Sequence, residues 1–343
     1  MDNAPRQSTF KRNAHIAYFR RCLQALPAQA TGFDSNRITI AYFCLSGLDL
    51  LDALERKTSE EDRRGWADWI WSLQAVPGGF SGSTFMLTEN SATSPPHLPS
   101  TYTALLCLAL LREPLDKLNI LGLQTFLQSC QAPDGSFAPL PQNEMEGDFQ
   151  SDLRMTYCAS VIADITGVSF DRDSARGMIA RCRTWEGAFA SRPGVIEAQG
   201  GTSYCAIAAL SLLDGGRHTN PADRLSTIRW LTQRQSGGFQ GRPGKLEDVC
   251  YSFWCGAALS ILGQANVINR SADTEFLLSA QSPMGGFGKE PEELPDPFHS
   301  YLALAALSLH DEPQLGLKQL EPKWNISAET ASWLREEVNR INS

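Results

Sequence analysis

Hydrophobic positions fall into two kinds of segment that alternate along the chain. In 38–51, 101–111, 153–166, 202–213, 249–262 and 300–309, apolar and small residues occupy almost every position. A helix that is apolar all round has no face for water, so these six read as buried. The segments 61–73, 115–131, 173–183, 222–235, 272–280 and 328–340 carry more charge, with apolar residues recurring three and four apart. That spacing predicts helices with one face on a core and one in solvent. An amphipathic helix over 15–26, stopped by Pro27, precedes the alternation.

A second mark repeats with the same period, about 50 residues. Gly78-Gly79-Phe80, Asp134-Gly135-Ser136-Phe137, Glu186-Gly187-Ala188-Phe189, Gly237-Gly238-Phe239 and Gly285-Gly286-Phe287 each close an outer helix, and Gln74, Gln131, Gln235 and Gln281 precede four of them. Glycine turns the chain there, and the phenylalanine fills the junction between layers. Six inner and six outer helices, closed on themselves, bury both sets without leaving end repeats exposed. The expected architecture is all-α, an (α/α)6 toroid forming one domain over 1–343, with 1–14 flexible. Irregular stretches at 90–99, 133–151 and 311–325 are too short to be domains. Loops at one end of such a ring are where a site is built.

Composition narrows the partners. With 343 residues, 42% hydrophobic and 20% charged, the chain can bury a large core. A net charge of -8 with no compensating basic face argues against nucleic acid and against anionic membrane surfaces. Nine cysteines without a CxxC pair read as reduced thiols of a cytoplasmic protein. The stretch Met1 to Gln7 has no apolar signal core, and no run reaches membrane-spanning length, so no stable membrane insertion is expected.

The chemistry gathers in 237–254. A glycine turn leads to Arg242 and Lys245, placed to converge on a polyanion, and then to Asp248 and Cys250 at the start of an apolar helix. A carboxylate and a thiol there are costly unless satisfied, and a metal would satisfy both. By spacing alone the pair is as readily a capping acid beside a buried thiol. Of five histidines, His299 holds the matching place at the start of another apolar helix.

The run Gly237-Gly238-Phe239-Gln240-Gly241-Arg242-Pro243-Gly244-Lys245, continued by Asp248, Cys250, Tyr251, Ser252, Phe253 and Trp254, resembles the zinc and diphosphate motif of protein prenyltransferase β subunits. Within that family the chain most resembles the type I geranylgeranyltransferases, from Phe19 to the tail at Asn325-Ile326-Ser327. The resemblance implies a catalytic zinc on Asp248, Cys250 and His299, with a fourth position open for a substrate thiol. It implies diphosphate binding by Arg242, Lys245, Tyr251, Lys289 and Gln199. Lys289 would stand in for the magnesium of farnesyltransferases, so magnesium is not expected to be required. Gln199 departs from the family's His-Gly-Gly; it can donate a hydrogen bond but carries no charge. Isoprenoid contacts are implied for Thr39, Arg154, Tyr157, Trp254 and Leu302, and peptide contacts for His97, Met155 and Phe298. Thr39 falls where farnesyltransferases carry tryptophan, leaving room for a fourth isoprene unit. Implied partners are an α subunit in an obligate heterodimer, geranylgeranyl diphosphate and CaaX-ending small GTPases of the Rho type. A terpene cyclase would need Asp-rich clusters that are not found here. A non-catalytic zinc-binding ring is the other alternative.

Overall fold

Fourteen α-helices and one short hairpin make up residues 9–26, 28–86, 96–141, 151–215 and 220–341, the part of the chain described by the computed structural model. In order they are α1 (Arg12–Gln24), α2 (Arg37–Leu50), the single turn α3 (Leu54–Lys57), α4 (Glu60–Ser72), α5 (Leu98–Leu110), α6 (Ile120–Cys130) and α7 (Leu153–Thr166). After these come α8 (Arg172–Arg181), α9 (Gly200–Asp214), α10 (Pro221–Thr232), α11 (Val249–Ile261), α12 (Arg270–Ser279) and α13 (Pro297–Leu309). Strands β1 (Leu320–Glu321) and β2 (Ile326–Ser327) pair antiparallel before α14 (Ala328–Ile341). Most of the stretches expected as loops at 90–99 and 133–151, and the first eight residues, lie outside the described part.

Helices α2, α5, α7, α9, α11 and α13 pack side by side in chain order, and α13 returns against α2 to close the ring. Their apolar faces point both to the axis and to the outer layer, which is why their sequences lack a polar side. The sixth outer helix is α1, which packs on α2; the segment expected in that role, 328–340, instead forms α14 against α5 and α7 beside the hairpin. α1 also begins inside the segment expected to be flexible. Its placement follows from the repeat chemistry. Gln74, Gln131 and Gln235 each accept from the backbone N–H of the residue capping the next outer helix, at Asn119, Asp171 and Asn269 (2.8, 2.9 and 2.9 Å). Gln281 does the same at 2.9 Å with the N–H of Lys11, the cap of α1.

The glycine turns have a stricter cause than chain reversal. A Cβ on Gly285, whose φ is +88°, would sit 2.0 Å from the carbonyl oxygen of Ala14 in α1. Gly135 abuts Ser174 of α8 in the same way, again at 2.0 Å. Backbone runs against backbone at these junctions, so only glycine fits.

Each turn also organises helix starts. The N–H of His97, Gln199, Asp248 and Asp296, the residues before α5, α9, α11 and α13, donates to the carbonyl of Phe80, Phe189, Phe239 and Phe287. Two residues further on, the carbonyls of Gly82, Pro139, Ser191, Gly241 and Lys289 accept from Ile38, Leu98, Leu153, Gly200 and Val249, in the first turn of the preceding inner helix. All six inner helices therefore start at one end of the ring, joined by a belt of backbone bonds. At the other end each stops in a left-handed residue: Asp52, Arg112, Gly167, Gly215, Gly263 and Asp311.

The axis of the ring is not hollow throughout. The hairpin turn 322–325 occupies it, held by tyrosines from five inner helices. Tyr204 donates to the carbonyl of Pro322, Tyr157 to Lys323, Tyr102 to Trp324, and both Tyr42 and Tyr301 to Asn325. Asn325 takes positive φ (58°) so that its carbonyl can receive both. The small residues Ala206, Ala208, Ala257, Ala258, Ala303 and Ala306 are buried between helices and leave no continuous channel.

Candidate metal centre and cationic cavity

At the end where the inner helices begin, a cavity of about 850 Å³ opens over the tyrosine layer. Its wall is built from the first turns of α7, α9, α11 and α13 and from the loops before them. Four N-caps with side-chain bonds stand there: Asp152 to Arg154 N–H, Gln199 to Thr202, Asp248 to Cys250 and Asp296 to His299. Helix N-termini favour acceptors and anions, so the capping atoms are already the polar atoms of the site.

Asp248, Cys250 and His299 bring a carboxylate oxygen, Sγ and a ring nitrogen within 4.8 Å of one another. His299 Nε2 lies 3.5 Å from Asp248 Oδ1, and its Nδ1 lies 2.5 Å from Asp296 Oδ2. An N–H at Nδ1 donating to Asp296 leaves the Nε2 lone pair facing Asp248 and Cys250, the arrangement a metal-ligating imidazole needs. The protonation of the protein groups alone shows strain. Burial, then the Asp248 charge, push the Cys250 thiol well above its ordinary value. Burial opposes the Asp248 carboxylate, but bonds from His299 and Cys250 outweigh it and hold its pKa low. Burial likewise opposes charge on His299, yet Asp248 and Asp296 raise its pKa to about 9. A buried thiol, an imidazole and a carboxylate within ligand distance fit a tetrahedral cation of the zinc type, which would ionise the thiol and free the imidazole nitrogen.

Beside this triad the cavity is lined by Arg242, Lys289, Tyr251, Gln199, Arg154, Trp254 and Phe298. Lys289 is fixed through its backbone, whose carbonyl accepts from Val249 N–H at 2.8 Å. Arg242 is paired with Glu197 at 2.7 Å, and Arg154 clasps its own helix cap Asp152. Lys245 is exposed on the preceding loop and does not line the cavity.

The remaining expected contacts are dispersed. Tyr157 is 5% exposed, with its hydroxyl bonded to Tyr102, Tyr204 and Lys323, so it belongs to the floor rather than the wall. Met155 and Leu302 are buried outside the cavity lining. His97 starts α5, bonded to Ser100, with burial lowering its pKa to about 4. Thr39 is half-buried one turn before Phe43, whose ring packs on Phe298 at 5.5 Å. Sequence reasoning missed Asp152, Glu197 and Cys205 in the wall and Asp296 behind His299. Asp296 carried a legible signal: an acid three residues before a histidine at a helix start.

Comparison with known proteins accords with this geometry. The family described as Prenyltransferase alpha-alpha toroid domain matches residues 10–326. The chain is 35% identical to the geranylgeranyl transferase type-1 subunit beta of Arabidopsis thaliana, covering 80% of this chain and 78% of that one. It is 32% identical to the protein farnesyltransferase subunit beta of Schizosaccharomyces pombe, over 73% of this chain and 62% of that one. The structure superposes on Candida albicans protein geranylgeranyltransferase-I complexed with GGPP with a TM-score of 0.86 and 31% identity, covering 96% and 99% of the two chains. A type II terpene cyclase from Scytonema, at 13% identity and a TM-score of 0.57 over 87% of this chain and 95% of that one, shares the fold alone. With its repeats, its ring and its helix-start site, the chain belongs to the prenyltransferase alpha-alpha toroid family.

Proposed function

We propose that this chain is the catalytic β subunit of a zinc-dependent protein geranylgeranyltransferase of type I. It would transfer geranylgeranyl from its diphosphate to the cysteine thiol of a C-terminal CaaX sequence. One observation carries the reading: a three-donor metal triad and a set of anion-binding side chains share one cavity, with apolar rings beside them.

Bound at Asp248, Cys250 and His299, zinc would supply a fourth position in which a substrate thiol is held as thiolate. Asp296 orients the His299 ring through Nδ1. Trp254 and Phe298 give the lipid an apolar wall. Transfer forms a bond from sulfur to C1 of the lipid and breaks the C1–oxygen bond, and the diphosphate leaves with the electron pair. Arg242, Lys289 and Tyr251 face that leaving charge and stabilise it as it develops. Arg242 would exchange Glu197 for the diphosphate. Lys289 supplies positive charge without magnesium.

The similarity to named type 1 β subunits and to a lipid-diphosphate complex supports geranylgeranyl over farnesyl. An α subunit as partner and Rho-type CaaX proteins as substrates belong to the same proposal. Co-expression with an α subunit, followed by transfer assays with both lipid diphosphates in zinc-replete, magnesium-free buffer, tests it. Geranylgeranyl transfer to a peptide ending in leucine is expected. Preferential farnesyl transfer, or activity only with magnesium, would count against it.

A further inference from the structure

Tyr251 is held from three sides. A Cβ on Gly241 would come within 2.3 Å of its ring and 2.7 Å of its hydroxyl, and a Cβ on Gly200 within 2.9 Å of its other edge. Gly200 N–H donates to Gly241 O at 3.0 Å, tying the two glycines together around the ring. From the third side Gln199 Nε2 donates to the Tyr251 hydroxyl at 2.7 Å. We propose that Gln199 is a positioning residue that fixes the direction of the Tyr251 hydroxyl proton, rather than a direct ligand of the leaving diphosphate. The inference rests on the transferase reading above.

The amide cannot reverse its ends without loss. Gln199 is the N-cap of α9, and its Oε1 accepts from Thr202 N–H at 3.4 Å, a donor that only the oxygen end can satisfy. Nitrogen therefore faces Tyr251. A phenol oxygen has two in-plane positions besides its ring bond, one for its proton and one for an incoming donor. With Gln199 in one, the proton takes the other. Among the described residues no acceptor competes for it, and Tyr251 lines the cavity with Arg242 and Lys289. Tyr251 is thus a pre-set neutral donor toward an anion in the cavity. Burial, followed by the nearby Cys250 and Asp248 charges, raises its pKa, so it stays protonated.

The test uses the αβ complex, reading single-turnover transfer and equilibrium binding of geranylgeranyl diphosphate separately. Gln199→Ala is expected to slow transfer about tenfold while lipid affinity stays within about threefold, a modest share of the loss expected for removing a transition-state donor outright. Gln199→His restores the rate, because an imidazole N–H donates in the same place. Gln199→Glu slows transfer about 100-fold, because a carboxylate accepts from Tyr251 and turns its proton out of the cavity. In a Tyr251→Phe background, Gln199→Ala costs less than about twofold more, since the two act as one unit. Loss of the α9 cap lowers the melting temperature equally in both backgrounds and so does not enter the cycle. Effects that multiply across the two sites, or a Gln199→Ala variant that loses affinity and keeps its rate, overturn the inference. A wild-type complex that transfers no lipid overturns the transferase reading, and this inference with it.

Discussion

The two ends of the inner ring are made from the same six helices and do opposite things. Where the helices begin, acids and an amide cap the free N–H groups, and those caps hold or border the site: Asp152, Gln199, Asp248 and Asp296. Where they end, left-handed residues stop the chain and the hairpin enters the axis, to be met by five tyrosine hydroxyls. The beginning leaves polar atoms facing a cavity; the axis satisfies its polar atoms within the protein. Helix direction explains the asymmetry, because orphan N–H groups attract side-chain acceptors and anions. The comparison also divides the ring sideways. α2 and α5 begin without a side-chain cap bond, and their residues do not line the cavity.

The largest way to break this contrast is at the mouth. Cys250→Ala should lose most bound zinc and reduce peptide transfer by more than the roughly 10–100-fold typical of outer-shell losses, while lipid diphosphate binding survives. Metal analysis beside an equilibrium binding measurement decides it; full zinc occupancy would remove Cys250 from the site.

At the axis the expected loss is stability. Trp324 is 2% exposed, donates to Asp164 at 2.9 Å and lies under Arg335. Trp324→Ala should cost about 3–5 kcal/mol in urea unfolding. A loss under ~1 kcal/mol would mean that the hairpin is not integral to the ring.

His15 probes the seam where the ring closes. It is fully buried, accepts from Gly286 N–H at Nδ1, and meets Gln281 through Nε2. Burial lowers its pKa to about 4, below the unfolded 6.5, so the unfolded chain takes the proton first. Its contribution is therefore complete above pH ~6.5 and declines as pH falls toward 4, by an amount on the order of 3 kcal/mol. His15→Asn, which keeps an acceptor for Gly286, should flatten that part of the stability–pH curve. An unchanged slope between pH 6.5 and 5 would refute the assignment.

The smallest effects separate the tyrosines. Tyr204 is the donor to Pro322 O, whereas Tyr42 and Tyr301 share Asn325 O. Tyr204→Phe strands a buried carbonyl and should cost about 1–3 kcal/mol, and Tyr301→Phe about 1 kcal/mol. Equal losses would show that sharing gives Asn325 no protection.

Much of this was written in the linear pattern. All-round apolar segments marked the inner helices, because a helix with no polar face can only be buried. The Gly-Phe turns marked the repeats, because backbone packed on backbone admits no Cβ. Asp248, Cys250 and His299 were legible through position, since each stands at the start of an inner helix and the starts share one end. What the sequence could not contain is closure. Whether α1 or the 328–341 segment completes the outer layer depends on the bonds of Gln281 with Lys11 and His15, some 270 residues apart. The tyrosines were readable as aromatic positions on inner helices, yet their pairing with carbonyls 322–325 exists only once the hairpin lies on the axis. Local pattern determines which faces are buried. Contacts that span the chain determine what they are buried against, and so where the cavity ends.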